Sequence, residues 1–251
     1  MVRLTRQLEH LFRFVGKLSA VPERPEPDQP RSPTLRADEH GPALRADAER
    51  NRSRIIHAAR AVFAEKGLDA PLNEVARRAG VGIATLFRRF PARDDLITAT
   101  FAGKMTAYAG AIDDALADPD PWHGFCAYVG QVCSMQAEDR GFTDVLTVTF
   151  PTAKGFEADR NRAAAGFAEL IDRAKAAGKL REDFAHQDLV LALMANAGVV
   201  NGTGQAAPDA WRRLVAYLLQ AFAADAARPL PPPPSEGQMY RALLRLQPKD
   251  D

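Results

Sequence analysis

The sequence predicts an all-α protein, with a three-helix N-terminal helix-turn-helix followed by a larger C-terminal helical bundle. Three observations support this. From Ala48 to Ala227, apolar residues recur at helical spacing almost throughout, and good helix formers, alanine above all, dominate. The one β-like run, DVLTVTF at 144–150, is short and isolated and reads as helix. Gly67, Gly80, Pro91, Pro119, Pro121, Pro151, Gly178 and Pro208 punctuate the pattern. Helices are therefore expected at 50–66, 72–79, 83–90, 94–117, 122–138, 141–149, 155–177, 186–203 and 208–226.

The ends read differently. Residues 1–46 form a flexible N-terminal extension. Leu4, Leu8, Leu11, Val15 and Leu18 give residues 1–19 one apolar helical face, and residues 20–46 are rich in proline and charge, a linker composition that buries no core. At the other end, residues 228–251 begin with RPLPPPP, a polyproline II segment, and continue into a short helix at 237–246. That proline run either spaces the last helix from the body or lays it back on it.

Composition narrows the function classes. With 251 residues, 46% of them hydrophobic, the chain can bury a sizeable core. No run of about 18 apolar residues suggests a membrane span, and no signal peptide is expected, because Arg13 and Lys17 interrupt the only apolar run of the N-terminal segment. Cys126 and Cys133 lie two helical turns apart, too far to bridge, and read as small core residues of a cytoplasmic protein. The net charge of +1 conceals an asymmetry. Residues 45–100 carry eleven basic against seven acidic residues, and residues 101–225 carry eleven against sixteen. A compact basic segment on an acidic body suggests a module for a polyanion.

The strongest signal lies between Asn51 and Phe101. Ile55, Ile56, Ala59, Val62 and Phe63 share one side of the first helix, which Gly67 stops. The second helix, Asn73 to Ala79, buries Val75, Ala76 and Ala79. Gly80 supplies the left-handed turn, and Val81 seals the corner. Ile83, Leu86, Phe87 and Phe90 are expected on the buried side of the third helix. A helix fits the major groove of B-DNA while its neighbour sets the angle across the backbone. Gly82 and Ala84 would open the approach, and Ile83, Thr85, Phe87, Arg88, Arg89 and Arg93 would lie against the duplex. Arg88 is placed for a bidentate contact with guanine.

The stretch AARAVFAEKGLDAPLNEVARRAGVGIATLFRRFPARDDLITATF resembles the N-terminal domain of the TetR family of bacterial transcriptional regulators. Phe63 and Gly67 match its Phe-x-x-x-Gly, and Val75-Ala76 its Ile/Val-Ala pair. Ala79 to Val81 match its Ala-Gly-Val, and Thr85, Leu86 and Phe87 its Thr-Leu-Tyr. Phe90, Pro91 and Arg93 close the motif before the acidic-Leu start at Asp95-Leu96. Three positions depart from it. Phe87 lacks the tyrosine hydroxyl that the family uses on a phosphate, Arg89 replaces a histidine, and Pro71 stands where a hydroxyl commonly caps the second helix. The proline-rich tail looks like that of one branch of the family.

The resemblance implies a cytoplasmic homodimeric regulator, a repressor released from a pseudo-palindromic operator by a small molecule. Residues 47–95 would bind double-stranded DNA, and residues 96–227 would form the ligand-binding and dimerisation domain. Leu189, Val190, Leu193, Met194 and Ala197 on one helix, and Trp211, Leu214, Val215, Leu218, Leu219 and Phe222 on the next, have faces suited to a four-helix dimer bundle. Candidate pocket residues are Phe101, Met105 and Tyr108, then Trp122, Phe125, Cys126 and Val129, and further on Phe150, Phe167 and Met194. Their apolar character suggests an apolar or aromatic effector.

Enzymatic chemistry finds little support. His10, His40, His57, His123 and His186 are scattered without metal-ligand spacing, so neither metal nor cofactor is expected. GxSxG, P-loop and GxGxxG motifs do not occur. The competing reading is an all-helical ligand-binding or interaction protein without DNA binding.

Overall fold

The computed structural model describes residues 41–146 and 154–245, with side chains from Asp47 onward. The expected amphipathic helix at 1–19 and Phe150 lie outside the described residues. The contact pattern separates Met1–Arg50 from Asn51–Asp251. Helix α1, Gly41–Lys66, begins inside the segment expected as linker and supplies the described part of the first unit. Its residues 43–50 carry no proline, so nothing there interrupts the helical hydrogen bonding.

The second unit continues α1 and adds α2 (Leu72–Ala79), α3 (Ile83–Arg89), α4 (Arg93–Ala117), α5 (Pro121–Glu138), α6 (Arg140–Asp144), α7 (Glu157–Ala176), α8 (His186–Thr203), α9 (Ala210–Phe222) and α10 (Glu236–Arg245). Of the helix expected at 141–149, Arg140–Asp144 is α-helical and Val145 and Leu146 form a wide π turn, and residues 147–149 lie outside the described residues. The helix expected from 155 begins as a 3-10 turn at Lys154–Phe156. The only β pairing among the described residues is an isolated bridge between Leu180 and Ala223.

Local chemistry sets the ends of these helices. Gly67 and Gly80 adopt positive φ, 81° and 63°, which costs a residue with a Cβ about 1 kcal/mol or more. Asp120 caps α5 by accepting from the backbone N–H groups of Trp122 and His123, and Pro121 occupies the first turn, where no donor is missed. Asp95 accepts from Ala92 N–H at 3.0 Å and so closes the start of α4.

One hydrophobic core runs from Ile55 in α1 to Val215 in α9. Phe63 stacks beside Phe101, and Phe101 beside Phe142, both at 6.3 Å between ring centroids. Gly141 makes this approach possible, because a Cβ there would stand 2.8 Å from the Phe101 ring. The first three helices are therefore fused to the body. In the body, α4 packs against α5 and α7, α5 also against α8 and α9, and α10 lies on α8.

Candidate nucleic-acid interface

Helices α2 and α3 meet at Ala79–Gly82. Gly80 N–H and Val81 N–H donate to Arg77 O and Ala76 O, closing the C-terminus of α2. Pro71 precedes α2 and provides no side-chain cap, as its chemistry requires. The α2 residues Val75, Ala76 and Ala79 are buried as expected.

Helix α3 departs from its expected burial. Leu86 and Phe90 are buried, but Ile83 is 36% exposed and Phe87 45% exposed. The buried stripe is narrower because α3 has seven residues and touches its own domain mainly through Leu86. Its other faces are open: Gly82, Ala84, Arg88 and Arg89 are exposed, and Thr85 is half-buried. Arg88 donates to Thr85 Oγ1 at 3.3 Å, and no carboxylate among the described residues pairs with Arg88 or Arg89.

Neighbouring cations are already engaged. Arg54 Nη2 donates to Ala79 O at 2.6 Å and Gly80 O at 3.0 Å, holding the turn. Lys66 pairs with Glu74 at 2.6 Å, and Arg78 with Glu65 at 2.7 Å, tying α1 to α2. Arg93, expected at the DNA, instead donates from Nη1 to Leu68 O at 2.6 Å and Ala70 O at 3.0 Å. It is half-buried, and these two carbonyls of the α1–α2 loop have no helical partner of their own, so a guanidinium within reach satisfies them. On the other side of that loop, Leu68 N–H donates to Asp144 Oδ2 at 3.0 Å. Burial pushes the Asp144 carboxyl above its ordinary value, and the bond to Leu68 opposes the shift. Sequence reasoning missed Arg54 and Asp144, because their partners are backbone atoms 25 and 76 residues away.

The described candidate ligand residues divide into three groups. Phe101, Met105, Phe125, Val129 and Phe167 are fully buried and fill the core. Phe125 packs beside Trp122, Phe167, Phe184 and Phe222 at 5.3 to 6.5 Å. Trp122 and Cys126 are half-buried. Burial pushes the Cys126 thiol to about 11 and the Cys133 thiol to about 12, which leaves both as poor nucleophiles. Tyr108 and Met194, however, line a cavity of about 50 Å³. It also takes Leu146, His186, Leu189, Val190 and Leu193, with Leu243 of α10 on one side. Burial lowers the His186 imidazole below its ordinary value, and its ring meets Phe167 edge-on at 5.5 Å.

The faces expected to form a dimer bundle are partly used within the chain. Leu189, Leu193, Trp211 and Val215 are buried in the core. Leu191 and Tyr217 remain exposed, 41% and 54%, with Leu214 and Leu218 half-buried beside them.

Two short helices with a left-handed glycine turn, the second helix bearing open arginines, define a helix-turn-helix DNA-binding protein. Comparison with known proteins makes this more specific. The signature described as bacterial regulatory proteins of the tetR family matches residues 55–100, and that of the SbtR-like transcriptional regulator C-terminal domain matches residues 120–221. The two matches together span more than half of the chain, which belongs to the TetR family of transcriptional regulators. An HTH-type transcriptional regulator of Staphylococcus aureus (strain USA300) is 39% identical over 54 residues, which are 21% of this chain and 29% of the relative. The chain thus matches less than a third of the length of that curated relative. A TetR transcriptional regulator from Streptomyces coelicolor is 30% identical, with 68% of this chain and 98% of that one covered, at a TM-score of 0.45. A TetR-family regulator from Agrobacterium tumefaciens shares the fold at a TM-score of 0.51, with 14% identity and coverage of 70% and 100%. The chain is thus a member of a family of transcriptional regulators. No described helix is long and apolar enough to cross a membrane.

Proposed function

We propose that the chain is a dimeric repressor whose α3 enters the major groove and whose body releases DNA when a small, largely apolar effector binds. The supporting observation is the division of labour among the arginines: Arg54 and Arg93 hold backbone carbonyls, and Arg88 and Arg89 stand open on an exposed helix. Arg88 reads a base edge, Arg89 takes a phosphate, and Gly82 and Ala84 let the backbone come close. Ile83 and Phe87, exposed on the same short helix, bring apolar contact to sugars and thymine methyls. Leu191, Leu214, Tyr217 and Leu218 form the centre of the dimer contact between α8 and α9 of the two copies. Two-fold symmetry then requires a pseudo-palindrome with half-sites about 34–36 Å apart, or a multiple of that.

Selection of bound sequences from a random duplex pool with the purified chain tests this reading. The expected result is a palindromic consensus bound by a dimer, with affinity falling steeply as salt rises. Retention of no duplex, at low salt and with the fold intact, would instead favour an all-helical binding protein without DNA recognition.

A further inference from the structure

The cavity beside Tyr108 and His186 has a wall made by the C-terminal tail of the chain itself. Helix α10 lies on α8 and places Leu243 at the cavity. Met239, one turn earlier, is buried at 7% exposure, whereas the other described α10 residues are half-buried or exposed. The helix has ten residues, too few to be stable alone in water. Arg181 anchors the chain that leads to it, donating from Nη2 to Arg228 O at 2.6 Å and from Nη1 to Ala221 O at 3.1 Å. Residues 229–233 then run exposed to solvent. The tail is thus fixed at Arg228, and beyond that point α10 is held by the apolar face that carries Met239 and by Tyr240, which lies near the Arg160 guanidinium of α7.

Volume decides what this arrangement does. A dry cavity of about 150 Å³ accommodates benzene, and about 50 Å³ does not. Any organic ligand must therefore move a wall. The walls from α4 and α8 belong to the continuous core, so moving them disturbs packing throughout the body. Of the described α10 residues Met239 alone is buried, and none belongs to that continuous core, so α10 is the wall that can move with the least disturbance.

We propose that α10 is a built-in plug over a ligand site, and that an uncharged apolar molecule with one hydrogen-bonding group enters the site by displacing it. This extends the effector reading above and rests on it. The lining specifies the ligand class. Among the described residues, no carboxylate, lysine or arginine lines the cavity, and the lining is aliphatic or methionine except for Tyr108 and His186. A half-buried imidazole whose protonation is disfavoured offers one donor or one acceptor, and a ligand hydroxyl complements it.

The test is calorimetric titration of the 251-residue chain with 1-naphthol, an uncharged aromatic alcohol, comparing wild type with the Met239→Ser/Leu243→Ser variant. Both substitutions lie on α10 and leave Arg88 and Arg89 untouched. The expected result is affinity raised at least about tenfold in the variant, with one site per protomer, because the closed state no longer competes. Adding Val190→Trp, which fills the cavity, removes the gain. Hydrogen exchange confirms release of α10. If the double variant keeps α10 docked or misfolds, deletion of residues 229–251 takes its place, with the same result expected. Equal affinity in wild type and in the released form overturns the proposal, as does a gain that survives Val190→Trp. The titration contains no DNA, so loss of the plug proposal leaves operator binding unaffected. Failure of the DNA-binding reading would appear separately, as wild-type protein that retains no selected duplex.

Discussion

Helices α3 and α8 lie in one molecule and obey opposite rules. In α3 a single side chain, Leu86, enters the core, Thr85 is half-buried, and the rest of the helix faces outward. In α8, Leu189, Ala192, Leu193, Asn196 and Ala197 are buried. Asn196 donates from Nδ2 to Cys133 O at 3.1 Å and to Gln136 Oε1 at 2.9 Å, a polar contact inside an otherwise apolar packing layer. A surface that meets a ligand as large as duplex DNA must stay exposed before the ligand arrives, so its chemistry can be read residue by residue. A cavity that meets a small molecule is made from the same side chains that hold the fold, so function and packing are superimposed there. The contrast predicts that substitutions in α3 separate stability from DNA affinity and that substitutions in the body do not.

The largest expected effect comes from the seam that joins the two regions. Phe101→Ala removes a ring packed between Phe63 and Phe142 and is expected to cost about 3–5 kcal/mol in urea unfolding. Because the core is continuous, α1–α3 and the body are expected to lose structure in one transition; two separated transitions would break the comparison. Next come two adjacent residues with opposite roles. Leu86→Ala is expected to destabilise by about 2–4 kcal/mol, and Phe87→Ala by no more than about 0.5 kcal/mol, with its loss appearing in DNA affinity instead.

Arg88→Ala and Arg89→Ala are each expected to cost about 1–3 kcal/mol of DNA affinity in a gel-shift titration, with the thermal midpoint unchanged. Arg89→Ala also reduces the slope of log affinity against log salt by about 1 if its partner is a phosphate. Arg93→Ala gives the converse pattern: it frees the carbonyls of Leu68 and Ala70 and lowers stability first.

The smallest effect is a pH dependence of opposite sign at two histidines. The Asp118 carboxylate accepts from His123 Nδ1–H at 2.5 Å and raises the histidine pKa. The contribution of His123 is complete below the ordinary value of 6.5 and fades as pH rises through the raised one. Burial lowers the pKa of His186, so its contribution is present above 6.5 and is lost as pH falls toward the lowered value. His186→Gln should shrink the loss of thermal stability between about pH 7 and pH 5, and His123→Gln should enlarge it.

Much of this could be read along the chain. The placement of α2 and α3 followed from Gly67, Gly80 and the buried series Val75, Ala76, Ala79 and Leu86, because helix caps and helical periodicity are local properties. Arg88 and Arg89 could be singled out by spacing alone. Which cations were free could not, since Arg54, Arg93 and Lys66 find their partners across folded distances. Ile83 and Phe87 were expected in the core because hydrophobicity records a preference for burial, and a seven-residue helix has too little contact area to satisfy it for both.

By itself the sequence determined the helical class, the glycine turn and the family motif, all of which rest on interactions within a few residues. Tertiary packing decided that Phe125 and Phe167 fill space and that Tyr108 and Met194 border a cavity. It also decided that α10 returns to cover that cavity. The physical reason is that a void is defined by what several distant segments leave unfilled, and no single segment encodes the gap.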